Sequence, residues 1–304
     1  MAEDPTSNAK FGPVIGLEAP GVDELQEGRP VITASGWDFN KPKQKILITG
    51  ARGFIGNHLW NSLNAYYDIT GIDNLSGLGS IERQAPYTHL DILTDELPDV
   101  NYDWVIHLAA QPGVRKSWDN LKTTYEKNVT ASKKIFDKYE GSKILYASSS
   151  SVYDMMSPYA LTKKAVEDIA PQRAIGMRFF TVYGPNSRPD MFYRMALENR
   201  VEYLTNHKRD FTHITDVVFG IWKLMLYPYE LCNRHNDKSQ LIRTYDFGRG
   251  QPQTLLEFAA KALPDVVLNN LYTLPFKEVT GESEVTCADP TELKKLGWYW
   301  QFSK

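Results

Sequence analysis

The stretch from Ile46 to Gly56 restricts the fold more than any other part of the chain. Ile46, Leu47 and Ile48 form a short apolar run that ends in Thr49 and Gly50, and Gly50-Ala51-Arg52-Gly53-Phe54-Ile55-Gly56 follows at once. A buried parallel strand entering a tight turn has this composition. Gly50 permits the turn, Gly53 lets the backbone approach a pyrophosphate, and Gly56 lets the next helix, expected from about Phe54 to Leu63, pack closely on the strand. The N-terminus of that helix then stabilises phosphate charge. Asp73, seventeen residues beyond Gly56, ends the second strand, where a carboxylate accepts hydrogen bonds from ribose hydroxyls. Its charge would repel a 2′-phosphate, which favours NAD over NADP, whereas Arg52 in the glycine loop argues for the opposite choice. The expected cofactor-binding set at this end is Gly50, Gly53, Phe54, Ile55, Gly56, Asp73 and Asn74, with Asp91 and Ile92 toward the adenine. Asp91 reads equally well as a helix cap.

Further apolar runs end at Ile72, His107, Tyr146, Phe180 and Phe247, and helical patterns separate the first five, notably at 119–140 and 158–170. The alternation predicts an α/β fold, a doubly wound parallel (Rossmann) sheet with a smaller C-terminal substrate lobe. The expected division is an N-terminal arm at 1–44, a NAD-binding domain at 45–182 and a mainly substrate-binding lobe at 183–304, with a strand near 243–247 returning to the sheet. In such sheets ligands sit beyond the carboxyl ends of the strands, so chemistry is sought just after each apolar run.

Tyr159 and Lys163, in Ser157-Pro158-Tyr159-Ala160-Leu161-Thr162-Lys163, stand four apart at the start of a helix and share one face. A phenol with a pKa of about 10 is a poor base at neutral pH, and lowering it by about three units takes roughly 4 kcal/mol of differential stabilisation of the phenolate. An ammonium one turn away and an oxidised nicotinamide ring together supply a means. Tyr159 would then take a hydroxyl proton while hydride leaves the same carbon, with Lys163 also holding the nicotinamide ribose. Taken alone, the pair also reads as an exposed helix face. The run Ser148-Ser149-Ser150-Ser151 after the fifth strand puts hydroxyls where substrate should lie and favours the chemical reading.

Composition removes several other classes. The formal net charge is −3 with Lys and Arg scattered, which leaves no footprint for nucleic acid or an anionic membrane. No run approaches the roughly 18 apolar residues of a membrane span, and the opening MAEDPTSNAK has no apolar core of a secretion signal, so the expected location is the cytoplasm. Cys232 and Cys287 lie far apart without a C-x-x-C pattern and are expected as buried thiols. The six histidines form no ligand cluster, and no metal is expected.

From Lys45 to Trp298 the chain resembles the extended short-chain dehydrogenase/reductase family, in its NAD-dependent epimerase/dehydratase branch, and is most like UDP-glucuronate 4-epimerases. The resemblance is carried by the glycine loop and the Tyr159/Lys163 pair. It extends to His107-Leu108-Ala109-Ala110-Gln111 with Gly113-Val114-Arg115-Lys116-Ser117, to Ala147–Tyr153, to Arg178–Pro185 followed by Arg188-Pro189-Asp190-Met191, and to Asn206-His207 leading to Arg209-Asp210-Phe211-Thr212. It implies that Ser149 bonds the reacting sugar oxygen and helps pass its proton to Tyr159. It also implies that Leu108, Ala109, Ala110 and Asn128 line the cofactor and that Arg209 meets the substrate diphosphate, with Arg115 in the substrate-binding set. In enzymes of this type hydride leaves C4, the 4-keto sugar rotates, and the hydride returns to the other face. Related dehydratases and decarboxylases carry a Glu just after the position of Ser149, where this chain has Ser150 and Ser151, neither able to act as a carboxylate acid at neutral pH. Ser150, Ser151, Thr181 and Arg188 match the positions expected to hold a uronic acid carboxylate, Arg188 through a bidentate fork. The competing reading pairs Arg188 with Asp190.

The expected partner is a UDP-sugar, and dimerisation through the helices at 119–140 and 158–170 is implied by the resemblance alone. Departures are also visible: only five residues separate Tyr153 from Tyr159, Asp154 replaces the usual Gly, and Val279 stands where relatives carry an Arg or Gln. The arm at 1–44 has no counterpart and is expected to fill the space that a shortened loop and C-terminus vacate. A UDP-glucose 4-epimerase, a sugar-nucleotide lyase and a non-catalytic NAD-binding module remain as alternatives.

Overall fold

A computed structural model describes residues 42–77, 85–226, 243–279 and 282–301; nearly all of the expected arm, and Cys232, lie outside the described residues. The strands are β1 (Lys45–Thr49), β2 (Asp68–Asp73), β3 (Thr88–His89), β4 (Trp104–His107), β5 (Lys143–Ser149), β6 (Ala174–Phe179), β7 (Thr181–Tyr183), β8 (Lys208–His213), β9 (Thr244–Phe247) and β10 (Pro252–Thr254). Seven of them form one sheet in the order β3-β2-β1-β4-β5-β6-β9, every pair parallel. The order reverses between β1 and β4, which opens a crevice at their carboxyl ends.

The principal helices of the two covering layers are α1 (Phe54–Leu63), α2 (Val114–Asp119), α3 (Leu121–Tyr125), α4 (Ala131–Lys138) and α5 (Pro158–Ile169); α6 (Phe192–Leu197) packs in a separate cluster with Leu204, Ala259 and Leu271, and α7 (Ile214–Leu226) returns to the large sheet. The strands read as continuous apolar runs because both faces are covered. Ile46 and Ile48 of β1 join one cluster with Leu59 and Leu63 of α1 and Val217, Ile221 and Trp222 of α7. Leu47, between them, joins the opposite cluster with Ile135, Phe136 and Val166. Trp298 and Leu293 reach back to the first cluster, and the Trp298 indole donates to the Asp216 carbonyl at 2.8 Å.

Three features differ from expectation. The helical pattern at 119–140 is interrupted: Asn120 leaves helical geometry at φ −146°, ψ 65°, and Glu126–Thr130 form a π turn before α4. Apolar periodicity carries across both interruptions, so it does not report them. Directly after the run ending at Phe180 comes a strand the apolar pattern does not mark, because the chain leaves the large sheet after Phe179 and β7 joins a three-stranded sheet in the order β10-β8-β7. Cys287 is exposed, not buried, because it lies on a surface segment next to the buried Ala288. No helix among the described residues is long and apolar enough to cross a membrane.

Candidate active site

The glycine loop is built as its residues dictate. Gly50 has φ +70°, and a Cβ there would lie 2.8 Å from the Ala109 nitrogen. A Cβ on Gly56 would lie 2.2 Å from the Gly50 oxygen, so only glycine allows α1 this close to β1. The helix α1 has no side-chain cap and no acidic residue in its first turn. Its leading amides and positive dipole end therefore suit an anionic group, which is what a dinucleotide pyrophosphate brings. Asp73 serves the loop as well as the cleft: its carboxylate accepts the Arg52 amide at 2.9 Å and the Leu75 amide at 2.8 Å. The Arg52 guanidinium lies over the Tyr87 ring, 4.9 Å from its centroid, and donates to the Ala85 carbonyl. Asp91 accepts the Leu93 amide and the Asn74 side chain, so it caps a turn and lines the cleft at once.

A cleft of about 280 Å³ runs beyond the strand ends. It brings together Gly50, Gly53, Phe54, Ile55, Gly56, Asp73, Asn74, Asp91, Ile92, Leu108, Ala109 and Ala110 at one end and Ser149, Tyr159, Lys163 and Arg188 at the other. Ser157 caps α5 by accepting the Ala160 amide at 3.1 Å, and Pro158 occupies its first turn, which fixes where Tyr159 emerges. Lys163 is buried, its ammonium donating to the Ala147 carbonyl at 2.9 Å and standing 5.9 Å from the Tyr159 ring centroid. Burial brings the pKa of Lys163 down to about 8, against the opposing pull of Glu167. Burial raises that of Tyr159, offset in part by a hydrogen bond with Ser149 and by the charge of Arg188. In the protein alone, desolvation of the phenolate thus outweighs the stabilisation that Ser149 and Arg188 give it.

Other expected residues are placed differently. Asn128 is buried behind the cleft and ties Gln111 to Thr162. Ser151 accepts the Ser149 hydroxyl, and Ser150, Ser151 and Thr181 stand outside the cleft lining. Arg188 reaches the cleft with its fork engaged by Asp190, at 2.9 and 3.0 Å. Arg209 and Arg115 do not line the cleft; both turn to Glu282, at 3.3 and 2.8 Å, because one carboxylate compensates two guanidinium groups there. Several lining residues had escaped the sequence reading, among them Lys127, Ser76, Phe179, Phe180 and Met191. Phe179 and Phe180 stand at the carboxyl end of β6, where the strand-end rule would have pointed. Lys127 carried no local signal.

A family profile described as NAD dependent epimerase/dehydratase family matches residues 46–235. The uncharacterized UDP-glucose epimerase YtcB of Bacillus subtilis is 30% identical over 303 residues, which is 84% of this chain and 92% of that protein. UDP-glucuronate 4-epimerase 2 of Arabidopsis thaliana is 32% identical over 228 residues, 58% of this chain and 52% of that protein. Among solved structures, UDP-glucuronic acid 4-epimerase from Bacillus cereus, in complex with UDP-glucuronic acid and NAD, superposes with a TM-score of 0.68 at 28% identity, covering 85% of this chain and 95% of that one.

Proposed function

The chain belongs to the NAD dependent epimerase/dehydratase family, and on that premise we propose that it inverts C4 of a UDP-sugar, interconverting UDP-glucuronate and UDP-galacturonate through a transient 4-keto sugar. The observation that carries this reading is the convergence of Tyr159, Ser149, Lys163 and Arg188 on the cleft that the glycine loop also lines. NAD, when bound, supplies a reversible hydride acceptor at the sugar's C4. Ser149 bonds the C4 oxygen and hands its proton to Tyr159, which acts as general base and later as general acid. Lys163 keeps a positive charge beside the phenol and holds the cofactor ribose. Arg188, with Ser150, Ser151 and Thr181, reads the uronic acid carboxylate, and Arg209 and Arg115 meet the diphosphate once Glu282 releases them. The absence of a carboxylic acid at positions 150 and 151 argues against elimination or loss of carbon dioxide.

One observation favours a second reading. Asp190 already fills the Arg188 fork, which suits a neutral hexose and hence a UDP-glucose 4-epimerase. We assign cofactor binding to 45–182 and mainly substrate binding to 183–304, and place the enzyme in the cytoplasm as a homodimer. In support of the dimer, Trp118, Leu121, Tyr125 and Leu161 on adjoining helices are 54–58% exposed. The test is incubation with NAD and, separately, UDP-glucuronate, UDP-glucose and a GDP-hexose, followed by chromatography of the products. UDP-galacturonate from the first is the expected result, and a pentose or an accumulating 4-keto sugar would transfer the assignment to a lyase.

A further inference from the structure

His107, at the end of β4, is 2% exposed and is not itself among the residues that line the cleft. Its surroundings nevertheless fix every proton around it. The Ser132 hydroxyl donates to the Asn128 carbonyl at 2.5 Å, and a hydroxyl has only one hydrogen to give. Ser132 must therefore accept from His107 Nε2, 3.0 Å away. Burial, reinforced by the charge of Lys163, brings the pKa of His107 down to about 3, so the ring is neutral and its Nδ1 carries no proton. Nδ1 then accepts from the Thr49 hydroxyl at 2.7 Å, and Thr49 Oγ1 is left to accept the Ala109 amide at 3.1 Å.

The same directionality continues past Asn128. Its Oδ1 accepts the Gln111 amide at 2.7 Å, and its Nδ2 donates to Thr162 Oγ1 at 2.9 Å. Thr162 in turn donates to the Tyr159 carbonyl at 2.8 Å. Two series of hydrogen bonds thus meet at Asn128 in the π turn: one runs from Ala109 in the cleft lining through Thr49, His107 and Ser132 to the Asn128 carbonyl, and the other from the Asn128 side chain through Thr162 to the backbone of Tyr159.

We propose that His107 is a positioning residue: its Nε2–H tautomer sets the Leu108–Ala110 floor and the Tyr159 helix in register, so that the phenol and the cofactor cleft keep a fixed separation. The inference rests on the reading of this cleft as an epimerase site. It gives the π turn a task, since the turn offers the Asn128 carbonyl to Ser132 and the Asn128 side chain to α5. Sub-ångström placement matters at such a site because misplaced reacting groups lose rate steeply.

The test uses the full chain in two isosteric pairs. Thr49→Val removes the hydroxyl and Thr49→Ser keeps it; His107→Leu removes both ring nitrogens, and His107→Gln keeps a donor and an acceptor on one plane. Thr49→Val and His107→Leu are expected to lower kcat about tenfold to a hundredfold, to leave KM for UDP-glucuronate within about twofold, and to weaken equilibrium binding of NAD. Thr49→Ser and His107→Gln should recover most of the loss. Native kcat and NAD affinity in Thr49→Val would overturn the proposal, as would a Thr49→Ser chain no better than Thr49→Val. The Thr49 pair decides the matter even if His107→Leu does not fold. If the unaltered chain epimerises no sugar, the functional reading fails by itself, and the ranking of NAD affinity between Thr49→Ser and Thr49→Val still tests the role of His107.

Discussion

Lys163 stands 5.9 Å from the centre of the Tyr159 ring, yet it gives its hydrogen bond to the Ala147 carbonyl rather than to the phenol. The two residues share a helix face without touching through their polar atoms. The ammonium braces the end of β5, while Ser149 makes the direct contact with the phenol and Arg188 supplies the charge that acts on it.

Tyr159→Phe removes the proton carrier and keeps the ring. General base catalysis is worth about a hundredfold to ten-thousandfold, so kcat for epimerisation should fall by at least about a hundredfold. NAD binding, followed by fluorescence titration, should change little. Native turnover in this variant would take Tyr159 out of the chemistry.

The pH dependence follows from Lys163, whose pKa burial brings down from 10.5 to about 8. Between those two values the unfolded chain holds more protons at this group, so its contribution to stability rises with pH there. Activity runs the other way, because the ammonium that favours the phenolate is lost above about 8. The kcat/KM profile of the free enzyme should fall on its alkaline side near that value. Lys163→Arg, which cannot deprotonate in this range, should remove that fall; an unchanged alkaline limb would assign it to another group.

Arg188→Ala should separate acidic from neutral substrates. A charge-assisted hydrogen bond contributes about 1.5–3 kcal/mol, so KM for UDP-glucuronate should rise roughly tenfold to a hundredfold while KM for UDP-glucose barely moves. Asp190→Asn frees the guanidinium fork and should favour the uronic acid. Equal effects on both sugars would mean that Arg188 does not read the carboxylate.

The Glu167 side chain is 7% exposed and receives both Arg178 Nε and Nη2, at 2.8 and 2.7 Å, with the Ser148 hydroxyl as a third donor. Arg178→Met leaves that carboxylate without its counter-charge and should cost about 3–5 kcal/mol of stability, read as a lower urea midpoint. The double variant with Glu167→Gln should recover part of the loss. A midpoint unmoved by Arg178→Met would show that the pair contributes nothing.

The proposed dimer makes its own prediction. Leu121→Asp combined with Leu161→Asp places two charges among the exposed apolar residues of α3 and α5 and should convert the dimer to a monomer in light scattering. A monomeric unaltered chain would remove the interface.

The sheet and the cofactor loop were legible in the sequence because each is encoded locally: an apolar run, three glycines and an acid at fixed spacing. The Tyr159/Lys163 face was legible for the same reason. What escaped was long-range or concealed within one periodicity. Asn120 and the π turn interrupt a helix whose apolar pattern continues unbroken. The chain changes sheets at Phe180, where the apolar run ends and β7 begins at once. Glu282 draws in Arg115 from 167 positions away, and no local pattern announces such a partner. Asn128, expected to line the cofactor, is buried outside the cleft lining, and only its long-range bonds to Gln111 and Thr162 show why.

Helix α7 and Trp298 arrive from beyond residue 183 yet complete the same apolar layer as α1. A piece ending at 182 would lose Val217, Ile221, Trp222 and Trp298 from one side of its central sheet and present raw hydrocarbon to water. The two halves of the catalytic apparatus are therefore interlaced rather than strung in series, and neither is a module that can be cut out, swapped or inherited alone.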